Sequence, residues 1–423
     1  MRADSFNPEA EGLRCLWLAR AVPLPFNSGE NIYSARLAQA LVAAGGSVTF
    51  MGLASSAAPE LQPAETFESR IEWSIVPGRP NPTILALASP LPLVAARFGT
   101  RTYARYLKAM LHARDFDAVI LDHYAMAWAI GLIQRSKRHG VRVLIAYLAH
   151  NFETAIAADI ARNFRGNLFR KAALHANARK TATAVLNLAL GADIIVAHTA
   201  EDAKSLAALS PSSAKLVVPP AYHGPRSSLR QIEQATPRRV AIVGTYHWTA
   251  KQMNLSAFLE TADPILQNAG VGIDIVGDGP DSFRKAWEAK VQATRFHGFV
   301  DNLGEFLAER RMGLVVEETG GGFKNKALDY IFNHVPIAAI RGSMTGLPLT
   351  PGLDYLSFES MAELAQGVAA AIDDTERLDS MQRAAYEKCN ASFDWSDRGR
   401  TLYNAIQQAI NRQPATHTNR PAP

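Results

Sequence analysis

The alternation of short apolar runs with helical runs limits what this chain can become. Leu13 to Ala19 (LRCLWLA) is a strand-type run. IYSARLAQALVAA then puts Ile32, Leu37, Ala40 and Leu41 on one helical face, and SVTFMGL returns as a strand after Gly45-Gly46. Strand, helix, strand in this order make a βαβ unit with a right-handed crossover and a parallel sheet. The pattern continues through ESRIEWSIVPG, a helix around Thr102 to Arg114, FDAVILDHY, a helix from Ala125 to Lys137 closed by His139-Gly140, and VRVLIAYLAHN. A helical stretch from Phe152 to Leu190 follows, with a break expected at Arg165-Gly166-Asn167. ADIIVAHTAED enters a helix with Thr199 as N-cap and Glu201 and Asp202 in its first turn. KLVVPP closes the series.

Pro219 to Pro237 has the proline, serine and glycine content of a linker. A second alternating series begins at RRVAIVGTYH. It runs through a helix from Asn254 to Asn268, VGIDIVGDGP, RFHGFV, a helix from Leu303 to Arg310, the stretch Gly313 to Ile340, a strand YLSF and two terminal helices. A chain of 423 residues exceeds one ordinary core. The expected fold class is therefore α/β, with two Rossmann-like doubly wound domains, residues 1–222 and 223–412, and a disordered tail over 413–423. Their strand carboxyl ends face across a cleft.

Composition excludes several classes. No apolar run reaches the roughly 20 residues of a membrane-spanning helix, and the start MRADSFNPEAEG lacks a secretory signal's apolar core. Cys15 and Cys389 are the only cysteines and imply neither a disulfide framework nor a zinc site. A cytoplasmic protein is the simplest inference. Residues 1–220 hold 23 Lys and Arg against 16 Asp and Glu, while the remainder holds 21 against 23. The basic excess lies largely between Arg97 and Lys180. It lacks the aromatic interleaving of a nucleic-acid groove, so no nucleic acid is expected. An anionic membrane surface fits better, beside the plainer reading of ordinary solvated helix faces.

The chemistry concentrates in GLVVEETGGGFKNKALDYIFNHVPIAAI, from Gly313 to Ile340. It reads as strand, glycine turn (Gly320, Gly321, Gly322), helix from Asn325 to Asn333, and strand. Such a turn brings unpaired N–H groups and the positive end of a helix dipole to one point, which suits a phosphate. Lys324 and Lys326 stand where the dipole alone disfavours cations. The same residues also admit a solvated turn with two surface lysines, and Lys326 and Asp329 a simple helical ion pair. Asn27, Ser28, Gly29, Glu30 and Asn31 follow the first strand at the corresponding end, without a GxGxxG fingerprint. His123, His150, His198 and His247 each follow a strand. Asp115-Phe116-Asp117 spells DxD but precedes its strand, so it reads as coincidence.

On these residues the chain resembles a GT-B glycosyltransferase, close to glycosyltransferase family 4, over roughly Leu13 to Arg412. The resemblance is carried by GGFKNKALDYIFNHVPIAA, NSGENIYSARLAQAL, HNFE, IVGDGP, FHGFVDN, GTYHWTAKQMN and FDWSDRGRTLY, where a last helix would cross back onto the first domain. It implies retaining, metal-independent sugar transfer from a nucleotide-diphosphate donor, with no cofactor. Lys251, Lys324 and Lys326 would hold the diphosphate and Asp329 the donor ribose. Gly321, Gly322 and Gly29 would give backbone access to the phosphates, and His150 would contact the sugar or reacting centre. Asp329 stands where the family has a glutamate, and Gly321 where it has another acid. Glu317 and Glu318 lie nearby, either able to face the sugar. The acceptor would be a glycan or a polyprenyl-diphosphate-linked sugar, with the protein cytoplasmic or peripheral at the inner face of the plasma membrane. A sugar-nucleotide 2-epimerase and a catalytically silent GT-B subunit are the alternatives.

Overall fold

In the computed structural model, which describes residues 12–26, 28–54, 63, 67, 70–138, 143–318 and 321–412, the strand-type runs assemble into two parallel sheets. The first contains β1 (Arg14–Ala21), β2 (Ser47–Leu53), β3 (Ile71–Val76), β4 (Ala118–Asp122), β5 (Leu144–Ala149), β6 (Ile194–Ala197) and β7 (Ala214–Val217), in the order β3-β2-β1-β4-β5-β6-β7. The second contains β8 (Arg239–Val243), β9 (Gly272–Val276), β10 (Thr294–Gly298), β11 (Met312–Val315), β12 (Ile337–Ile340) and β13 (Leu356–Phe358), in the order β10-β9-β8-β11-β12-β13. Each order reverses at the sheet's first strand. That leaves a crevice at β1/β4 and another at β8/β11, beyond the strand carboxyl ends. The expected fold class holds.

Helices cover both faces, which is why these strands are apolar on both sides. Leu16, Leu18, Ile145 and Tyr147 pack in one layer of the first sheet, and Trp17, Phe50, Ile120 and Leu148 in the other. In the second sheet, Ile242, Ile273 and Leu314 pack on one face and Ala241, Val315 and Ile337 on the other.

The differences from the sequence reading are local. Three short helices, Thr83–Ala88, Leu93–Phe98 and Asp281–Glu288, start behind Pro82, Pro92 and Pro280, whose fixed φ favours a helix start that reads as a turn in sequence. The helix Thr249–Asn268 begins five residues earlier than expected, which places Lys251 in its first turn. Three helices close the chain where two were expected: Met361–Ala371, Thr375–Cys389 and Trp395–Arg412. No glycine or proline marks the first of these breaks; Asp374 makes it by accepting from the N–H of Arg377. The break at Arg165-Gly166-Asn167 is where expected, between helices Glu153–Asn163 and Leu168–Gly191, and Thr199 caps its helix. His139-Gly140, Asn27, Gly320, the first eleven residues and the tail from 413 lie outside the described residues.

The segment 219–237 forms no helix or strand, yet it is fastened to the second half. Ser227 N–H donates to the Phe332 carbonyl at 3.0 Å, Arg230 Nε to that of His334 at 3.0 Å, and Ile232 N–H to Asp379 at 3.0 Å. The last helix crosses back, so that Leu402 and Ile406 join Leu37 and Leu41 in the first half's core. The crossing is close: a Cβ on Gly399 would lie 2.1 Å from the Ala40 carbonyl oxygen. Gly399→Ala should therefore destabilise the protein by about 1–3 kcal/mol through overpacking. Thermal unfolding reads this directly, and an unchanged Tm would show that the helices do not meet this tightly.

Candidate functional site

The two crevices open onto one cleft of about 490 Å³. From the first half it is lined by Phe26, Gly29, Ile32, Tyr33 and Asn151, and from the second by Gly244, Lys251, Gly277, Glu317, Gly321, Lys324, Lys326 and Asp329. Six of the eight residues given a site role in sequence, Gly29, Lys251, Gly321, Lys324, Lys326 and Asp329, therefore line one cleft.

The helix Asn325–Phe332 positions most of them. Its start has no side-chain cap, with Lys324 at the N-cap. Tyr330 pins it to the sheet: the hydroxyl lies 3.1 Å from the Ala241 carbonyl and 3.2 Å from that of Leu314, and it accepts from the Val243 N–H. Gly313 is required beneath that ring, because a Cβ there would come within 2.6 Å of it. The polar side of the helix then turns toward the cleft.

Lys326 is buried, and its Nζ donates to Glu317 Oε1 at 2.5 Å. The expected alternative pair, Lys326 with Asp329, does not form; Glu317 takes the lysine. Burial works against the Glu317 charge, yet Lys326 and Lys324 hold its carboxyl below the ordinary range. Glu317 Oε2 and Asn325 Oδ1 are buried acceptors without a partner. Glu318 is exposed, its N–H donating to Asn254 Oδ1, so of the two glutamates Glu317 faces the cleft. Lys324 Nζ folds back onto the carbonyls of Gly321 (2.7 Å) and Gly322 (3.1 Å), and burial lowers its pKa. Burial and repulsion from Lys326 bring Lys251 down to about 8, Glu317 opposing. Burial pushes Asp329 up to about 7 against the charge of Lys326.

The glycines do two jobs. Gly322 has φ +78°, and a Cβ there would lie 1.9 Å from Asn151 Oδ1. A Cβ on Gly29 would lie 2.5 Å from Asn325 Nδ2. These bare backbones let the halves touch on either side of the cleft. Gly321 lines it; Gly322 presses on the first half instead.

His150 stands behind the wall. It is buried, with Nε2 at 2.6 Å from Asp122 Oδ1, while Trp17 Nε1 donates to Asp122 Oδ2 at 2.8 Å. Burial opposes both charges, but the contact holds His150 above and Asp122 below their ordinary values. Burial and the nearby His150 and His123 keep His198 neutral, and its Nε2 has no partner. Tyr33 meets His198 at a tilt and His150 edge-on, at 4.1 and 5.3 Å between ring centres, and presents itself to the cleft in their place. His123 sits 3.6 Å from Glu153, and His247 pairs with Asp278 at the exposed rim. The DxD is structural: Asp117 accepts from the backbone N–H of Arg14 at the opposite end of β1. Among the described residues no group of His, Cys, Asp and Glu is arranged to hold a metal ion.

Sequence reasoning passed over Tyr222, His223, Trp248, Phe299 and Trp395, all on the cleft wall. Aromatic residues in a linker and at strand ends were the available signal. Phe26, Tyr222, His223 and Trp395 also border a second cavity of about 1020 Å³ that contains Arg36 and Arg70. Arg36 Nε is buried without a partner.

Removing one member of the Asp122–His150 pair leaves a buried charge. Asp122→Asn should cost about 3–5 kcal/mol in chemical denaturation. The pH dependence has a definite sign. His150 is raised above 6.5, so the pair's contribution is complete below pH 6.5 and disappears as pH climbs through the folded value. Asp122 is lowered from 3.8, so the contribution is also lost as pH falls through that group's folded value. An alkaline decline as large in Asp122→Asn as in the wild type would contradict this.

Residues 237–374 match the family model Glycosyl transferases group 1. No curated protein matches the chain. Among solved structures, HepE of Anabaena in complex with UDP and glucose is similar over 94% of this chain and 100% of that one, with TM-score 0.62 and 13% identity. Sucrose-phosphate synthase from Thermosynechococcus elongatus has TM-score 0.65 and 13% identity over 94% of this chain and 99% of that one. WaaG, a glycosyltransferase involved in lipopolysaccharide biosynthesis, has TM-score 0.61 and 12% identity over 93% and 99%. At these identities the likeness establishes the fold.

Proposed function

We propose, from the match of residues 237–374 to the glycosyl transferases group 1 and the likeness to GT-B structures, retaining, metal-independent transfer of a sugar from a nucleotide-diphosphate donor to a glycan or lipid-linked acceptor. The observation that carries this reading is the convergence of Lys251, Lys324 and Lys326 on one cleft wall at an uncapped helix start. Three lysines outnumber Glu317 and Asp329 on this wall and leave it cationic, which suits a diphosphate diester. HepE, similar in fold, is in complex with UDP and glucose and with UDP-glucose, which supports a nucleotide sugar as donor here.

In this reading the donor's anomeric C–O bond breaks and the β-phosphate oxygen gains charge. Lys251, Lys324, Lys326 and the helix start stabilise that charge more in the transition state than before it. The acceptor oxygen bonds to the same face of the sugar. Its proton passes to the departing phosphate, so no separate base is required. Asp329 accepts from the ribose hydroxyls, and the orphan Oε2 of Glu317 accepts from a sugar hydroxyl. The exposed Phe299 and Trp248 offer aromatic faces to the base. Gly321 and Gly29 let backbone approach the phosphates. His150 acts from behind the wall through the Tyr33 ring, keeping that side of the cleft in place. The acceptor enters from the second cavity, where Arg36 and Arg70 suit the diphosphate of a polyprenyl-linked sugar. Such an acceptor would place the reaction at the inner face of the plasma membrane, in polysaccharide or glycoconjugate assembly.

Lys326→Met combined with Glu317→Gln removes both charges without stranding either. Transfer or donor hydrolysis should fall by about 100-fold or more while Tm changes little. A rate within a few-fold of wild type would end the reading, and the anomeric configuration of the product by NMR decides retention. Donor affinity should peak between pH about 7, above which Asp329 is ionised, and pH about 8, above which Lys251 loses its charge. Asp329→Asn should flatten the acidic limb and Lys251→Arg the alkaline one. A flat wild-type profile from pH 6 to 9 would contradict the assignment of these two groups.

A further inference from the structure

Two stretches of the first half lack acidic residues. Residues 73–114 and 160–192 each carry six Lys and Arg and no Asp or Glu. At the chain's average acid content, 75 residues would hold about seven. The fold brings these separate stretches together: Lys180 Nζ donates to the carbonyls of Leu87 (2.9 Å) and Ser89 (2.6 Å), and Asn177 Oδ1 accepts from the Leu93 N–H at 2.8 Å. Of the twelve cations only Arg114 and Arg162 have a carboxylate partner among the described residues, in Glu72 and Asp159.

The same surface exposes apolar side chains. Ile84 is 82% exposed and Phe169 87%, with Leu85, Leu87, Leu168 and Leu190 also open to solvent. On the helix Leu168–Gly191 the exposed residues Phe169, Ala172, Ala176, Thr183, Leu186 and Leu190 recur at helical spacing, flanked by Arg170, Lys171, Arg179 and Lys180. Apolar side chains ringed by cations, most of them without a carboxylate partner among the described residues, match a bilayer interface, where tails insert between headgroups and cations meet lipid phosphates. No helix among the described residues is long and apolar enough to cross a membrane, so the contact is interfacial.

We propose that this surface, formed by the helices Thr83–Ala88, Arg101–Ala113 and Leu168–Gly191, docks the protein onto an anionic lipid bilayer. The surface borders the cleft. Leu174 of its long helix packs with Ile156 and Ile160 against Ala250 and Met253, the neighbours of Lys251. Docking there holds the cleft beside the headgroup layer, within reach of a lipid-linked acceptor. The inference rests on the lipid-linked form of the proposed acceptor for its purpose, but its test is independent of donor chemistry.

The full chain is sedimented with vesicles of phosphatidylcholine alone and of phosphatidylcholine with one-third phosphatidylglycerol, at low and high salt. Binding is expected only to the anionic vesicles and should weaken with salt. Each basic residue near such a surface is worth about five-fold in partitioning, so Arg105→Glu with Lys171→Glu should lower it by about 25-fold or more. Leu85→Ser with Phe169→Ser should lower it by about ten-fold or more. Both double variants should keep wild-type donor hydrolysis, which separates a failed docking surface from a failed donor site. Absence of binding to anionic vesicles, or binding unaffected by both variants, overturns the proposal. So does lipid-free self-association abolished by the same variants, which would make the surface a contact between copies of this chain.

Discussion

The buried contact between Lys326 and Glu317 sets the character of the cleft. Taking both charges out of water is costly, and attraction across 2.5 Å offsets that cost only if the remaining polar atoms are satisfied. They are not: Glu317 Oε2 has no partner, and Lys251 and Lys324 crowd the same wall. The result is a partly dehydrated, cationic pocket with open acceptors. Such a pocket is poorly served by water and well served by a ligand that brings both an anion and hydroxyl donors. A nucleotide sugar brings both.

The pocket exists only because two sheets with separate cores are held face to face. The last helix carries the chain back onto the first core through Gly399, Leu402 and Ile406. The segment 219–237 is bonded along the second half rather than left slack. On either side of the cleft, Gly29 and Gly322 take the place of side chains that would hold the halves apart. Glycine at these two positions therefore serves the contact between halves. The basic, apolar surface of the first half adjoins this arrangement through Leu174 and Met253, so that surface and the cleft meet in one small cluster.

The fold was legible in sequence because the central strands are buried on both faces and read as apolar runs, from LRCLWLA to VPIAAI. The glycine turn and its lysines were legible for the same local reason: turn, lysines and helix start sit within a dozen consecutive residues. What sequence could not show was partnership across distance. Lys326 had Asp329 one turn away, yet it pairs with Glu317 from the preceding strand's end. His150 looked like a cleft residue because it follows a strand, but Asp122 on the neighbouring strand draws it inward and Tyr33 takes the surface. Tyr222 and His223 come from a linker and Trp395 from the start of a terminal helix; the bonding of that linker along the second half and the crossing-over of the helix bring them to the cleft.

The central claim is that the lysines around the 321–326 loop grip a diphosphate. A crystal structure of the full chain with uridine diphosphate tests it most directly. The account predicts both phosphates within hydrogen-bonding reach of Lys251, Lys324 or Lys326 and the start of the helix Asn325–Phe332, with the ribose hydroxyls on Asp329. Diphosphate bound instead at the first sheet, or phosphates seated away from all three lysines, would contradict it.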